Sequence, residues 1–528
     1  MASLLVRHLA FTWPGAAQSV FTDLNLTVGA HWRTALVGRN GRGKSTLLKL
    51  LAGHLQPDAG TIEGQFVPCV FPATVVDAHV SAGAVALDAA GPYRQLEAGM
   101  AACLGRDDAS SLQHYSRLLE EYLALDGYGV DARVDVELQA LGIGAALKDR
   151  PFNTLSGGER TRVLLAGCFA RQDAFILMDE PTNHLDGAGR RQVADYLAGK
   201  AGFILVSHDR DFLDRCTDHV IALNADSVGV ERTAFSAWRA GFLTRLEEQA
   251  RRNRQLRSEA GRLEAVARAR REGAVKREDD KAPHTDKGYI GASAARQMKR
   301  ALAAERRASA AAQARRATML DVEKTYALSF PGTAGGKRPL LRVDGLSIHR
   351  GRPLFPPLAF SLTTGDRVVV EGPNGVGKSS LLACLCGEPL AHTGSLRRAP
   401  GLRISRVHQH PLWRHGSLKE HLLRAGLDQT AFRQMMAALG VRGDVLAQPV
   451  EALSQGQRRK LELARSLLEP ADLYVWDEPL NYLDIEAREA IEAAIARDRP
   501  TLLFVEHDAM FTRRIATRRL VLTAAHGD

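Results

Sequence analysis

A chain of 528 residues is too long for one hydrophobic core, so two domains with an additional segment are expected. Its composition, 45% hydrophobic and 25% charged, is that of a globular protein; it holds no uninterrupted apolar run long enough to span a bilayer, and MASLLVRHLAFTW lacks the features of a secretory leader. Cys69, Cys103, Cys168, Cys216, Cys384 and Cys386 form no C-x-x-C pair and no metal-ligand spacing, so reduced cytosolic thiols are expected.

The first element with chemical content is a short apolar strand (TALVG) that runs into Gly38-Arg-Asn40-Gly41-Arg-Gly43-Lys44-Ser45 and then an apolar helix opening at Thr46. This is the context of a phosphate-binding loop. Glycines let the backbone wrap the phosphates, amide N–H groups point inward, and the helix N-terminus adds a favourable dipole. The lysine neutralises β/γ-phosphate charge and the Ser45 hydroxyl helps hold Mg²⁺.

Leu155-Ser156-Gly157-Gly158-Glu159-Arg160 then precedes another apolar helix, a pattern that also describes a simple N-cap. The buried strand AFILMDEPTNHLD ends in two acids, Asp179, suited to Mg²⁺, and Glu180, placed one residue later to orient and polarise a water. A further apolar strand ends at His208, read as a γ-phosphate sensor.

Between residues 240 and 320 the sequence is basic, alanine-rich and built of strong helix formers, broken by DDKAPHTDKGYIG. From Gly241 to Leu320 there are 20 Lys+Arg against 10 Asp+Glu, which accounts for the whole net charge of +10. A helical hairpin with a polyanion partner fits this segment, and so does a solvated linker with none. The tip carries one aromatic, Tyr289, between Gly288 and Gly291.

The second half repeats the first. Gly372-Pro-Asn374-Gly375-Val-Gly377-Lys378-Ser379 follows the strand VVVEG and opens a helix at Ser380. Leu453-Ser454-Gln455-Gly456-Gln457-Arg458 matches the second element, and DLYVWDEPLNYLD supplies Asp477 and Glu478 before His507. The distance from the Leu-Ser element to the glutamate is 25 residues in both halves, and the histidines follow 28 and 29 residues later. Recurrence at fixed spacing decides against simple capping.

Taken together, these elements resemble the ATP-binding cassette superfamily, with Walker A, signature, Walker B, D-loop and H-loop in order, twice. The resemblance implies an α/β chain: two P-loop NTPase (ABC-type) cassettes in tandem, residues 1–239 and 321–528, joined by a helical-hairpin linker, residues 240–320. It implies ATP and Mg²⁺ as cofactors, hydrolysis to ADP and phosphate, and cassettes that pair head to tail within one monomeric, cytoplasmic chain. One nucleotide would lie among Lys44, Ser45, Asp179, Glu180 and His208 with Ser454 and Gly456. The other would lie among Lys378, Ser379, Asp477, Glu478 and His507 with Ser156, Gly157 and Gly158.

The basic linker, the wording DEPTNHLD and 36 extra residues between phosphate loop and signature in the first half, placed near Asp88–Gly129, resemble the ABC-F translation factors and their helical "arm". DKGYIGASAARQMKRA, VWDEPLNYLD and VEHD look similar to that family's antibiotic-resistance, ribosome-protection branch. The resemblance implies the ribosome, with its rRNA and tRNA, as partner. The ATPase subunit of a membrane importer and a DNA-handling ATPase are the other readings. By the same likeness Gln409 is the Q-loop glutamine, a ligand to Mg²⁺ and nucleotide, where the first half has Ala73. Trp13 would stack on adenine, or else pack into the cassette edge; in the second half His349 is a weak counterpart.

Overall fold

The computed structural model describes residues 3–16, 18–64, 67–104, 109–172, 174–183, 185–224, 227–279, 328–331, 336–409, 411–441 and 443–525, with residues 299, 303, 306, 307 and 311 between them. It divides into two units: Met1–Ser236 with Tyr326–Asp528, and Ala237–Thr325.

Near-continuous apolar runs form the central strands of each half, as expected for parallel sheets covered on both faces by helices. In the first half a six-stranded sheet runs in the order Val67–Phe71, Ala174–Asp179, Phe203–Val206, Arg33–Val37, His219–Leu223, Val228–Glu231, with only the last pair antiparallel. In the second, five parallel strands run Ile404–Val407, Leu473–Asp477, Leu502–Val505, Arg367–Glu371, Arg518–Val521. This is the expected α/β architecture in two copies. Antiparallel strands pack against each sheet: Ser3–Phe11, Phe21–Gly29 and Ala59–Glu63 in the first half, Pro339–Arg350, Leu358–Thr363 and His392–Arg398 in the second.

Near Asp88–Gly129, where the 36 additional residues of the first half are expected, the chain forms helices Tyr93–Cys103 and Ala109–Ala124. Tyr122 fixes them to each other: its hydroxyl donates to Glu97 at 2.8 Å and its ring meets Tyr93 and Tyr128 edge-on at 6.3 and 5.2 Å. Burial of Tyr93 and Tyr122 supplies the helices with a small core of their own, while Tyr128 stays exposed.

One helix of 45 residues, Phe235–Asp279, about 67 Å long at 1.5 Å per residue, supplies most of the described residues of the other unit. The tip with Tyr289, and all but isolated positions of the returning limb, lie outside the described residues. No described helix is long and apolar enough to cross a membrane.

Candidate nucleotide sites

Each phosphate loop sits at the C-terminal end of a central strand. Arg33–Val37 runs into Gly38 and the helix Lys44–Leu51; Arg367–Glu371 runs into Gly372 and the helix Lys378–Cys386. Gly38, Gly41, Gly372 and Gly375 shape the loops with φ of 153°, 87°, 150° and 81°. Gly43 and Gly377 cap the helices in the left-handed region, φ 84° and 104°, with no side-chain cap. A Cβ on Gly43 would meet Val20 at 2.5 Å. The first helical N–H groups are thereby left for an anion. Ser45 and Thr46, like Ser379 and Ser380, open these helices.

Lys44 Nζ donates to Gly38 O at 2.6 Å and Arg39 O at 3.2 Å; Lys378 Nζ donates to Gly372 O at 2.8 Å and Pro373 O at 3.0 Å. Burial pushes both lysines down from their ordinary pKa, and Glu180 and Glu478 respectively act against it.

The acid-bearing strands stand beside these loops. Glu180 and Glu478 both take φ near +50°, a costly conformation for a residue with a side chain. Their N–H groups are held by Val206 O at 2.9 Å and Val505 O at 3.0 Å. The carboxylates meet His208 Nε2 at 3.4 Å and His507 Nε2 at 3.6 Å.

The surroundings of the two glutamates differ. Burial pushes Glu180 up to about 7, offset chiefly by Arg488 of the other half, and its Oε1 is buried without a hydrogen-bond partner. The His507 hydrogen bond holds Glu478 down at about 2 against burial, helped by Asn481, which donates to its Oε2 at 2.7 Å.

Ser156 and Ser454 form reciprocal capping boxes at the starts of helices Gly157–Ala170 and Gln455–Leu468. For Ser156, local capping and a place on a cavity wall coexist. Gly158 is the second residue of the first of these helices.

Two cavities lie between the halves. One, about 150 Å³, is walled by Asn40, Glu180 and His208 from the first half and by Gly456, Asn481 and Arg488 from the second. The other, about 530 Å³, is walled by Asn374, Gly375, Gly377, Lys378, Ser379, Gln409, Glu478 and His507 from the second half and by Ser156, Gly157 and Asn183 from the first. They are called site A and site B below. Of the residues expected at the first nucleotide, Glu180, His208 and Gly456 line the smaller cavity, and Lys44, Ser45, Asp179 and Ser454 do not.

A family profile described as ABC transporter matches residues 21–183 and 355–481. The chain is 33% identical to the tylosin resistance ATP-binding protein TlrC of Streptomyces fradiae, over 95% of this chain and 94% of that protein. It is 28% identical to the energy-dependent translational throttle protein EttA of Mycobacterium tuberculosis, over 95% and 88%. The chain belongs to the ATP-binding cassette family, in its ABC-F group. A solved archaeal ribosome recycling factor, aABCE1, in complex with the ribosomal stalk protein aP1, shares the fold with a TM-score of 0.57 at 19% identity, over 97% of this chain and 87% of that one.

Within this ABC-F chain the parallel register fixes the Q-loop position. Val407 pairs with Trp476, and Phe71 with the corresponding Met178, so Ala73 occupies in the first cassette the place that Gln409 holds in the second. Asp477 Oδ1 is buried and unpartnered, Ser379 hydrogen-bonds the same carboxylate, and burial pushes Asp477 up. Ser379, Gln409 and Asp477 share one cavity wall. An all-oxygen set with an orphaned carboxylate oxygen fits a Mg²⁺ ion that brings water and phosphate as its remaining ligands.

Trp13 borders neither cavity. It is 39% exposed, edge-on to Phe11 at 5.3 Å, with Lys49 Nζ 6.0 Å from its ring centroid. His349 lies 3.5 Å from Thr393, and it is the next residue, Arg350, that lines site B.

The sequence reading passed over Arg190 and Arg488. Arg190 donates to Asp209 at 3.0 Å and Leu185 O at 3.2 Å; Arg488 donates to Asp508 at 3.1 Å and Leu483 O at 3.1 Å. Each ties a D-loop to the residue after the H-loop histidine. Both stand ten residues after the Walker B glutamate, so the same recurrence that revealed the motifs would have found them.

Proposed function

We propose that this chain is a Mg²⁺-dependent ATPase of the cytoplasm whose cassettes close on two ATP molecules and thereby control its binding to the ribosome. The observation that carries it is the pair of cavities, each walled by the phosphate loop or Walker B glutamate of one cassette and the signature of the other. A γ-phosphate held between the halves favours the closed state, and hydrolysis removes that tie.

In this reading Glu180 and Glu478 orient and polarise the attacking water, and His208 and His507 hold the γ-phosphate. Lys44 and Lys378 neutralise phosphate charge, aided by the helix N-termini. Ser45 with Asp179, and Ser379 with Asp477 and Gln409, hold Mg²⁺, which when bound draws off charge from the β- and γ-phosphates. Trp13 offers the first adenine a stacking face.

Names of the relatives support the ribosomal reading: one is a translational throttle, and the related fold of aABCE1 belongs to a ribosome recycling factor. Full-length likeness to a tylosin resistance protein supports the finer reading of protection from a ribosome-directed antibiotic. The importer alternative gains nothing from these relatives. In the ribosomal reading residues 88–129 act as the arm, and residues 240–320 as a hairpin directed at tRNA and rRNA, gripping by phosphate contacts and shape.

The test is co-sedimentation of the Glu180→Gln, Glu478→Gln chain with ribosomes. The variant is expected to pellet with ribosomes in ATP and not in ADP. Equal pelleting in both nucleotides would argue against ATP-controlled binding, and ATPase activity that survives chelation of Mg²⁺ would remove the metal.

A further inference from the structure

Arg459 lies on the signature helix Gln455–Leu468, one and a half turns from Ser454, about 7.5 Å along the axis. Its side chain is buried, 4% exposed. One terminal nitrogen donates to the carbonyls of Asp477 and Glu478, the latter at 2.5 Å; the other donates to the carbonyl of His408, the residue before Gln409. A single guanidinium therefore clasps the end of the Walker B strand to the start of the Q-loop, and it does so where Glu478 holds a costly backbone conformation.

The two ends of this helix segment serve different nucleotides. Gly456, at its start, walls site A, whereas the groups Arg459 holds belong to site B. Among the described residues, the first cassette shows no such connection. The matching position is Thr161, whose hydroxyl turns back to Gly157 O at 3.0 Å, and its Q-loop position is Ala73.

We propose that Arg459 is a positioning residue that passes the engagement of the second signature at site A to the Walker B acids at site B, with no counterpart in the reverse direction. This rests on the ATPase reading above. When a γ-phosphate at site A draws on the N-terminus of the signature helix, the helix moves as a rigid element. The clasp carries Asp477, Glu478 and Gln409 with it. At site A no described residue of the helix Gly157–Ala170 grips the Walker B carbonyls in this way.

The test uses the full chain with one site silenced at a time. In the Glu180→Gln background, where turnover comes from site B, Arg459→Thr is expected to lower kcat about 10- to 100-fold with little change in KM, because misplaced reacting groups cost rate more than binding. In the Glu478→Gln background the same substitution is expected to leave site A turnover within about two-fold. Ser454→Ala is expected to slow site B in the Arg459 chain and to have no additional effect on site B in the Arg459→Thr chain. Arg459→Lys, which keeps the charge and fewer donors, is expected to fall between.

Equal loss at both sites, a rise in KM without loss of kcat, or independent effects of Ser454→Ala and Arg459→Thr would overturn the relay while leaving the ATPase reading intact. An unaltered chain with no ATPase activity would overturn both.

Discussion

Arg210, two residues beyond His208, is 3% exposed and pairs across the cassette boundary with Glu492, its Nη1 3.3 Å from Oε2. Asp508 lies 3.8 Å away, and Arg514 shares Glu492 at 2.8 Å. The corresponding positions of the other half hold Ala509 and Ala194, so the pair exists on one side of the pseudo-symmetric interface only. Arg210→Ala leaves a buried carboxylate without its principal partner, and an expected loss of about 3–5 kcal/mol in unfolding stability follows. Replacing both residues by apolar groups, Arg210→Met with Glu492→Leu, is expected to recover most of it; a double-mutant cycle in denaturant melts measures the difference. Nothing in the sequence marked this pair, because repetition was the signal that made Lys44, Asp179, Glu180, His208 and their partners legible, and an interaction present in one half alone has no repeat. The same reason hid Arg459. Unequal surroundings also bear on turnover. Glu478 has Gln409 on its cavity wall and an asparagine donating to its carboxylate, whereas Glu180 has Ala73 at the Q-loop position. Glu478→Gln is therefore expected to remove most of the steady-state phosphate release, about ten-fold or more, and Glu180→Gln alone a smaller part.

Helices Tyr93–Cys103 and Ala109–Ala124 lie in the stretch near residues 88–129, where an insertion was to be expected from the unequal spacing of motifs in the two halves. Their packing was not, since it depends on Tyr122 reaching Glu97 across the hairpin while Tyr93 bonds Leu125 O at 3.1 Å. That last bond brings the base of the first helix close to the exit of the second, which makes the hairpin removable. Bridging Pro92 to Leu125 with a short Gly/Ser segment is expected to leave ribosome-free ATPase activity within about two-fold, because the hairpin borders neither cavity. If the hairpin is the ribosome-facing arm, the same deletion in the Glu180→Gln, Glu478→Gln chain lowers co-sedimentation with ribosomes in ATP. Retained pelleting would detach the arm assignment from these helices. Strand order, by contrast, follows from apolar runs too short and too uniform for periodicity to rank, and the pairing register agrees with the sequence likeness in setting Ala73 where Gln409 stands.

At the scale of the whole molecule, charge and nucleotide chemistry lie in different segments. The excess of positive charge belongs to residues 241–320, and the cassettes and flanking residues together are balanced. Polyanion binding should then depend on the linker through electrostatics and on ATP through the cassettes. Arg251, Arg252, Arg254 and Arg257 are exposed on the helix Phe235–Asp279, and glutamine keeps helix propensity while removing charge. Each phosphate contact contributes a slope of about −0.7 to −0.9 to the dependence of log affinity on log salt. Replacing the four arginines by glutamine in the ATP-locked chain is therefore expected to flatten that slope by about 3 if all four meet phosphates, and by less in proportion to those that do. Free ATPase activity should be unchanged, because none of the four lines a cavity between the cassettes. A slope identical to that of the unsubstituted chain, measured by sedimentation across a salt series, would move the ribosomal contact off this helix and leave the returning limb or the cassettes themselves to carry it.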